Sequence, residues 1–403
     1  MRIAFVGNVN NAPHLLALGF AESGHECRLV PTRPEALHQP SSLRALVDTH
    51  TAEVTWPPDA SLADSDFVDR SPRLRDLVAD INEWADLVFL NDQGPSIADL
   101  LSVPHVAHLT GSDLTYYANY DSIHLREAGW SGDFRRSREA LDHRLAWSHL
   151  VARQRHGIAS AELIIHDPPG LRPDAEILFQ GLGVMPSQRL ALRLGNTFCS
   201  RASRPMPTDA PLRIACLARI GVRDADSAQS FTDRKGTDIL LEGFRRFVLS
   251  GGDARLTVTT KGLDPARVQQ YVTSQGIGRW VEWVPELSYE HYVSVIEDQH
   301  IVCDALSPIG PAGIAMDSML RRRVVLGNLR PDVYSAWYGT ALPGLHCETA
   351  ADVAQALSWA SAHPHLLPAL AEEGNRAALR NFDPRVAARV VLERVPVRTR
   401  DTS

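Results

Sequence analysis

MRIAFVGNVNNAPHLLALGFAESGHECRLVP, residues 1–31, contains a complete strand–turn–helix–strand unit. Arg2–Gly7 (RIAFVG) is apolar without alternation, the pattern of a strand covered on both faces in a parallel sheet. The polar turn NVNNAP follows; Pro13 suits a helix start, HLLALGFAES supplies the helix and Gly24 closes it. CRLVP (27–31) is then a second strand, and the order is that of a βαβ unit. LVFLN (87–91), HVAHL (105–109), LIIH (163–166) and EILFQ (176–180) read as further strands. The polar stretch NTFCSRASRPMPTDAP (196–211), with three prolines, breaks the rhythm and reads as a linker, bounded most tightly at 201–211. The pattern restarts with the strand LRIACLARI (212–220), the helix GTDILLEGFRRFVLSGG (236–252) and the strand LTVTT (256–260). The helix YEHYVSVIED (289–298) and the strands IVCDAL (301–306) and VVLGN (324–328) continue it. The expectation is an α/β chain of two doubly wound, Rossmann-like domains facing across a cleft, with ligands at the carboxyl ends of the strands.

A chain of 403 residues with 44% hydrophobic and 22% charged residues is of ordinary globular composition. A net charge of −7 argues against a nucleic-acid partner or a membrane-surface protein. Cys27, Cys199, Cys216, Cys303 and Cys347 are scattered and never form C-x-x-C, so neither a zinc site nor a disulfide framework is indicated and a cytoplasmic location is expected. The N-terminus lacks a signal-peptide pattern and no apolar run reaches 18 residues, so no integral membrane segment is expected. Lys235 and Lys261 are the only lysines among 41 Lys and Arg, a GC-rich usage that points to a bacterial source.

An ammonium is a compact point charge where a guanidinium is a planar fork, so a retained lysine raises the question of its ligand. Arg219 ends the 212–220 strand and Lys235 directly precedes a helix start at Gly236–Asp238. Two cations beside helix N-terminal N–H groups would clamp a pyrophosphate without a metal. The same pattern also fits a solvated cation and an Arg–Asp pair. In SPIGPAGIAMD (307–317) a strand enters a loop with Gly310 and Gly313, and a helix then carries Asp317, placed as an acid for ribose hydroxyls or as an ordinary surface residue. In the first half, Asn8, Asn10 and Asn11 sit in the first turn, where Asn also serves purely local ends. HLTGSDL gathers His108, Thr110, Ser112 and Asp113 after a buried strand; His108 reads equally as a satisfied core histidine and Asp113 as a helix cap. No Ser–His–Asp, H-E-x-x-H or Walker lysine signature competes, and no carboxylate cluster has metal-ligand spacing.

Taken together, LARI…DRKGTDILLEGFRRF, VEWVPELSYEHYVSVIEDQHIVCDAL and GNVNNAP resemble the retaining, group 1 (GT4-like) glycosyltransferases of GT-B fold. The resemblance implies that Arg219 and Lys235 bind the donor diphosphate and stabilise it as leaving group. It places Gly310, Ala312 and Gly313 in the donor loop and Asp317 on the nucleotide ribose, as the second acid of a Glu-x7-Glu motif whose first position is Ile309. On the acceptor side it implies Asn8, Asn10, Asn11, Thr110 and Ser112. Thr110 stands where the family's His-Gly-Ser/Thr-Asp motif has its histidine, and His108 and Asp113 are candidates for the catalytic base. RRRVV (321–325) replaces the family's small-residue and proline turn. NFDPRVAARVVLERV looks like the closing helix that crosses back to the first domain. The implied division is an acceptor domain 1–200, with a helix in 385–403, and a donor domain 212–384. The implied activity is transfer of a sugar, with retention and without metal or cofactor, from a nucleotide-diphosphate donor (a UDP-sugar foremost) to a small-molecule acceptor in natural-product or envelope chemistry. A monomer or homodimer is expected. A nucleotide-sugar epimerase of the same fold and a non-catalytic nucleotide- or sugar-binding relative are the alternatives.

Overall fold

A computed structural model describes residues 1–33, 38–43, 54, 62–127, 130–198, 203–208, 211–220, 235–262, 265–308 and 310–395. In the first half the unbroken apolar runs form β1 (Arg2–Val6), β2 (Glu26–Val30), β3 (Leu87–Leu90), β4 (His105–His108) and β5 (Leu163–His166), with β6 (Arg189–Ala191) at the edge. All pair in parallel, in the order β2-β1-β3-β4-β5-β6. Helix α1 (Ala12–Glu22) has Pro13 in its first turn and buries Leu15, Leu16, Leu18 and Phe20. Phe20 meets Phe5 and Phe89, which stack at 4.7 Å on neighbouring strands. Further on lie α2 (Arg138–Ala159) and α3 (Pro173–Gly181).

Helix α3 corrects the expectation of a strand at 176–180. Pro173 at its first positions fixes a helical φ, Asp174 and Glu176 suit the positive N-terminal end, and Ala175 and Phe179 form a buried i, i+4 stripe. Ile177, which made the run look like a buried strand, is 72% exposed. The sixth strand is the short segment Arg189–Ala191 instead.

The second half repeats the plan: β7 (Leu212–Cys216), α4 (Thr237–Leu249), β8 (Ala254–Thr259), β9 (Val281–Val284), α5 (Tyr289–Glu297), β10 (Ile301–Cys303), α6 (Gly313–Leu320), β11 (Val324–Gly327) and β12 (Leu345–His346). Its strand order is β12-β11-β10-β7-β8-β9, again all parallel. Leu240, Leu241, Phe244, Phe247 and Val248 of α4 pack with Ile214, Leu256, Val258 and Ile301 of the sheet in one apolar core. The closing helix α7 (Pro384–Arg394) packs on α1, where a Cβ at Gly19 would stand 2.3 Å from the Pro384 carbonyl oxygen.

The chain divides into two compact units: Met1–Leu194 with Pro384–Ser403, and Gly195–Asp383. The division falls ahead of the 201–211 segment expected as the linker, whose described part is held by the second unit. Arg204 pairs with Asp298 at 2.7 Å and bonds Ser294 at 3.0 Å. Arg323, 1% exposed, donates to the carbonyls of Arg204 and Pro205 at 3.1 Å, Arg321 at 2.8 Å, Arg322 at 3.0 Å, and Glu297. A buried guanidinium needs acceptors, and these carbonyls supply them to both of its terminal nitrogens. That is what occupies the RRRVV position. At the two crossings the chain is bonded to itself: Gly195 N–H to the Phe382 carbonyl at 2.9 Å, and Thr197 Oγ1 to Asp383 Oδ1 at 3.2 Å.

Candidate functional site

Each sheet has one point where successive strands are laid down in opposite directions, between β1 and β3 in the first unit and between β7 and β10 in the second. Loops leaving the carboxyl ends there diverge to opposite faces and leave room for a ligand. The expected site residues cluster after strands at or beside those two points.

In the second unit, Arg219 follows β7 and is exposed. The next residue is pinned by Ile220 N–H to the Lys261 carbonyl at 2.6 Å. Lys261 itself is ion-paired with Glu286. Lys235 is partly buried just before α4, and its carbonyl accepts the Leu306 N–H at 2.9 Å. The Lys235 backbone is thereby stitched to the loop that leaves β10. Gly236, at φ 74°, caps α4, and a Cβ there would lie 2.9 Å from that of Leu306. Both the left-handed turn and the close approach call for glycine. The loop between β10 and α6 is organised by Asp304, whose carboxylate accepts N–H groups of Ala305 at 2.7 Å, Ala312 at 2.5 Å and Ala315 at 3.1 Å. Gly310, with φ 75°, and Ala312 and Gly313 lie on that loop and at the start of α6. Ile309 lies outside the described residues. The structure therefore brings Arg219, Lys235, the first turn of α4 and the 304–313 loop to one carboxyl edge. Asp304 escaped the sequence reading; a lone acid ending the strand pattern IVCDAL was its only signal.

Asp317 lies on α6, one turn past Gly313. Its carboxylate accepts the Tyr292 hydroxyl at 3.2 Å, and the Tyr289 hydroxyl and the main-chain N–H of Asn196 also reach it. Burial pushes this carboxyl up to about 6, against the opposing pull of Arg321 and these donors.

In the first unit Asn8 and Asn11 face inward. Asn8 Nδ2 donates to Asn11 Oδ1 at 2.7 Å and to the His38 carbonyl at 2.8 Å, and Asn8 Oδ1 accepts the His14 N–H at 3.1 Å. Asn11 Nδ2 donates to Ser42 at 2.9 Å. Only Asn10 of the three is exposed, on a left-handed backbone at φ 55°. Asn91, after β3, ties this turn to the next loop. Its Oδ1 accepts the Val9 N–H at 2.8 Å, while its Nδ2 faces the His108 carbonyl at 2.7 Å, Thr110 Oγ1 at 3.0 Å and Asp113 Oδ2 at 3.1 Å. A Cβ at Gly7, at φ 94°, would sit 2.3 Å from the Asn91 carbonyl oxygen, so only glycine fits. Asp92, wholly buried, takes a bidentate pair from Arg33 at 2.7 Å and the Ser112 hydroxyl at 3.0 Å. Asn91, Asp92 and Arg33 were not singled out from the sequence. Their visible mark is a polar Asn-Asp pair following the apolar run LVFL.

Asp113 is fully buried and accepts the N–H groups of Thr110 at 2.7 Å, Gly111 at 2.8 Å and Leu114 at 3.1 Å. Burial pushes its carboxyl up to about 6, against these donors. It folds the Thr110–Leu114 turn around itself. Gly111, not Asp113, stands at the cap of the short helix Ser112–Thr115. His108 is buried within the sheet, its Nδ1 without a hydrogen bond, and burial pushes it down to about 4, so the ring is neutral at pH 7. Among the described residues no group of three or more His, Cys, Asp or Glu gathers to hold a metal, and no helix is long and apolar enough to cross a membrane.

No protein-family model matches the chain, and no curated protein does either. Solved structures match it over nearly its whole length. The Anabaena Alr3699/HepE protein, solved with UDP-glucose, is 12% identical at TM-score 0.64 over 98% of this chain and 99% of its own. Sucrose-phosphate synthase from Thermosynechococcus elongatus is 15% identical at TM-score 0.60 over 98% of both chains. WaaG, a glycosyltransferase involved in lipopolysaccharide biosynthesis, is 14% identical at TM-score 0.55 over 96% of this chain and 99% of its own. The fold is GT-B. In this chain's GT-B fold, the switch point of one sheet carries the cations and the glycine loop, and that of the other carries the Asn-rich turn and the Asn91–Asp92 pair.

Proposed function

We propose that the protein is a glycosyltransferase that takes a sugar from a nucleoside-diphosphate donor bound by its second unit and passes it to a small-molecule acceptor held by its first. One observation carries the reading: Arg219, Lys235, the N-terminus of α4 and the 304–313 loop converge at the carboxyl edge of neighbouring strands β7 and β10. The solved structures of the same fold include one bound to UDP-glucose, which favours a UDP-sugar here. Arg219 and Lys235 balance the charge that builds on the departing diphosphate, and the α4 N–H groups add to it. That charge is met by protein cations, so transfer proceeds without a divalent metal. With Asp113 enclosed by main-chain N–H groups and His108 buried and neutral, neither is presented as a base. This accords with a retaining transfer in which the departing phosphate itself receives the acceptor proton. Asn10 and Ser112 are the acceptor-side contacts, while Asn8, Asn11 and Thr110 shape the loops behind them.

The test is calorimetric titration with UDP, GDP, ADP and dTDP, each with and without magnesium. One diphosphate binds with an affinity indifferent to magnesium, and Lys235→Ala weakens it tenfold or more, because a hydrogen bond to a charged group is worth about 1.5–3 kcal/mol. Equal affinity in wild type and Lys235→Ala would refute the diphosphate assignment.

A further inference from the structure

We propose that the nucleotide site of the second unit does not select for ribose: Asp317 is held by the protein's own hydroxyl and amide donors, so 2′-deoxynucleoside diphosphates bind as well as their ribose counterparts. The proposal rests on the reading of that unit as a nucleoside-diphosphate site and specifies which nucleotides it accepts.

Asp317 is the acid that the resemblance assigns to the ribose, and its surroundings are unusual for that duty. An ionised carboxylate has about four lone-pair positions for hydrogen bonds. The Tyr292 hydroxyl takes one at 3.2 Å, and the Tyr289 hydroxyl and the Asn196 N–H take two more. The cage is organised rather than incidental. Tyr289 Oη accepts Asn196 Nδ2 at 3.2 Å, which leaves its own proton for Asp317, and the two tyrosine rings stack at 5.6 Å with 28° between their planes. Both tyrosines come from α5, and Asn196 from the segment just past the first crossing, so the donors are fixed by two separate parts of the unit. Aspartate is also one methylene shorter than the glutamate of the family motif, which draws its oxygens back toward α6.

A ribose diol that bound this carboxylate at two points would displace at least one phenol. The displaced hydroxyl would then lose its acceptor, offsetting what the sugar gained. Strong discrimination, on the order of 10⁴-fold, arises only where a site keeps a polar group unfilled until the right hydroxyl arrives. At Asp317 three of the four positions are already taken. Burial raises its carboxyl against the opposing pull of these same donors.

The experiment titrates wild type, Asp317→Asn and Tyr292→Phe with the pairs UDP and dUDP, GDP and dGDP, ADP and dADP. The expected result for whichever pair binds is a ribose-to-deoxy affinity ratio below about threefold in wild type, unchanged in Asp317→Asn. Tyr292→Phe removes one caging hydroxyl and frees a carboxylate oxygen, so the ratio rises in favour of the ribose form. A purely structural cage would leave the ratio in Tyr292→Phe where it was in wild type. A wild-type preference for ribose of tenfold or more, collapsing in Asp317→Asn, would overturn the proposal while leaving the diphosphate reading intact. Failure of every nucleotide to bind would overturn the diphosphate reading itself, and this proposal with it.

Discussion

Replacing Asn91 with alanine removes the side chain that joins two loops of the first unit. Asn91 is 1% exposed and makes four contacts, to the Val9 N–H, the His108 carbonyl, Thr110 Oγ1 and Asp113 Oδ2. Their losses are unequal. Asp113 keeps three main-chain N–H donors and stays satisfied. Thr110 is only partly buried and can turn to water. The Val9 N–H, on a residue 6% exposed, is stranded, and the His108 carbonyl loses a 2.7 Å partner. Two stranded buried groups at about 1–2 kcal/mol each give a loss of about 2–4 kcal/mol. For a unit of this size that lowers Tm by about 5–15 °C. Thermal unfolding followed by circular dichroism reads the total, and hydrogen exchange at Val9 locates it. A loss below about 1 kcal/mol, or unchanged Val9 exchange, would show that Asn91 does not carry the junction. Asn91→Asp is the sharper companion: it keeps the acceptor for Val9 but sets a second carboxylate about 3.1 Å from Asp113 Oδ2. Asp113 is already pushed up to about 6, so this variant weakens progressively as pH rises above that value.

Gly236→Ala forces a side chain onto φ 74° and to 2.9 Å from Leu306 Cβ, so nucleotide affinity and stability fall together, the latter by about 1–3 kcal/mol; a neutral substitution in calorimetry and unfolding would contradict the close approach. Arg323→Met leaves five carbonyls short of a donor, and limited proteolysis in the 203–208 segment quickens, whereas an unchanged digestion pattern would mean the guanidinium does not hold it. Asp317 has a folded-state pKa raised from 3.8 to about 6, so its contribution to stability is present below 3.8 and lost as pH rises through about 6. Asp317→Asn escapes that loss, and its stability relative to wild type climbs between about pH 4 and 6.5; a flat difference across that window would exclude the shift.

The layered fold was legible because parallel strands buried on both faces are written as local apolar runs, and Pro13, Gly24 and Gly236 punctuate the helices between them. The failure at 176–180 has the same root: one exposed isoleucine on an amphipathic helix imitates a buried strand. The place of Lys235 beside the start of α4 was legible too, whereas β7 stops at Cys216, three residues short of the Arg219 expected to end it. What the sequence hid is pairwise and distant. Asn91 acts through Val9, 82 residues away, and Asp92 through Arg33, 59 residues away. Asp317 is defined by a tyrosine 25 residues upstream, on a helix whose own pattern says only that it is amphipathic. Such partners become neighbours only once the strand order is known.

The return of α7 to the first unit has a bearing on how the chain is made. Translation runs from the N-terminus, and domains commonly acquire their structure in that order. Here the second unit is contiguous from Gly195 to Asp383, whereas the first needs Pro384 onward to cover α1 at Gly19. At roughly 5–20 residues per second, about 10–40 s separate the emergence of Leu194 from that of the last turn of α7. Throughout that interval the first unit lacks the helix that covers α1, whereas the second unit has every part it needs as soon as Asp383 emerges. The half that leaves the ribosome first is the half that is completed last.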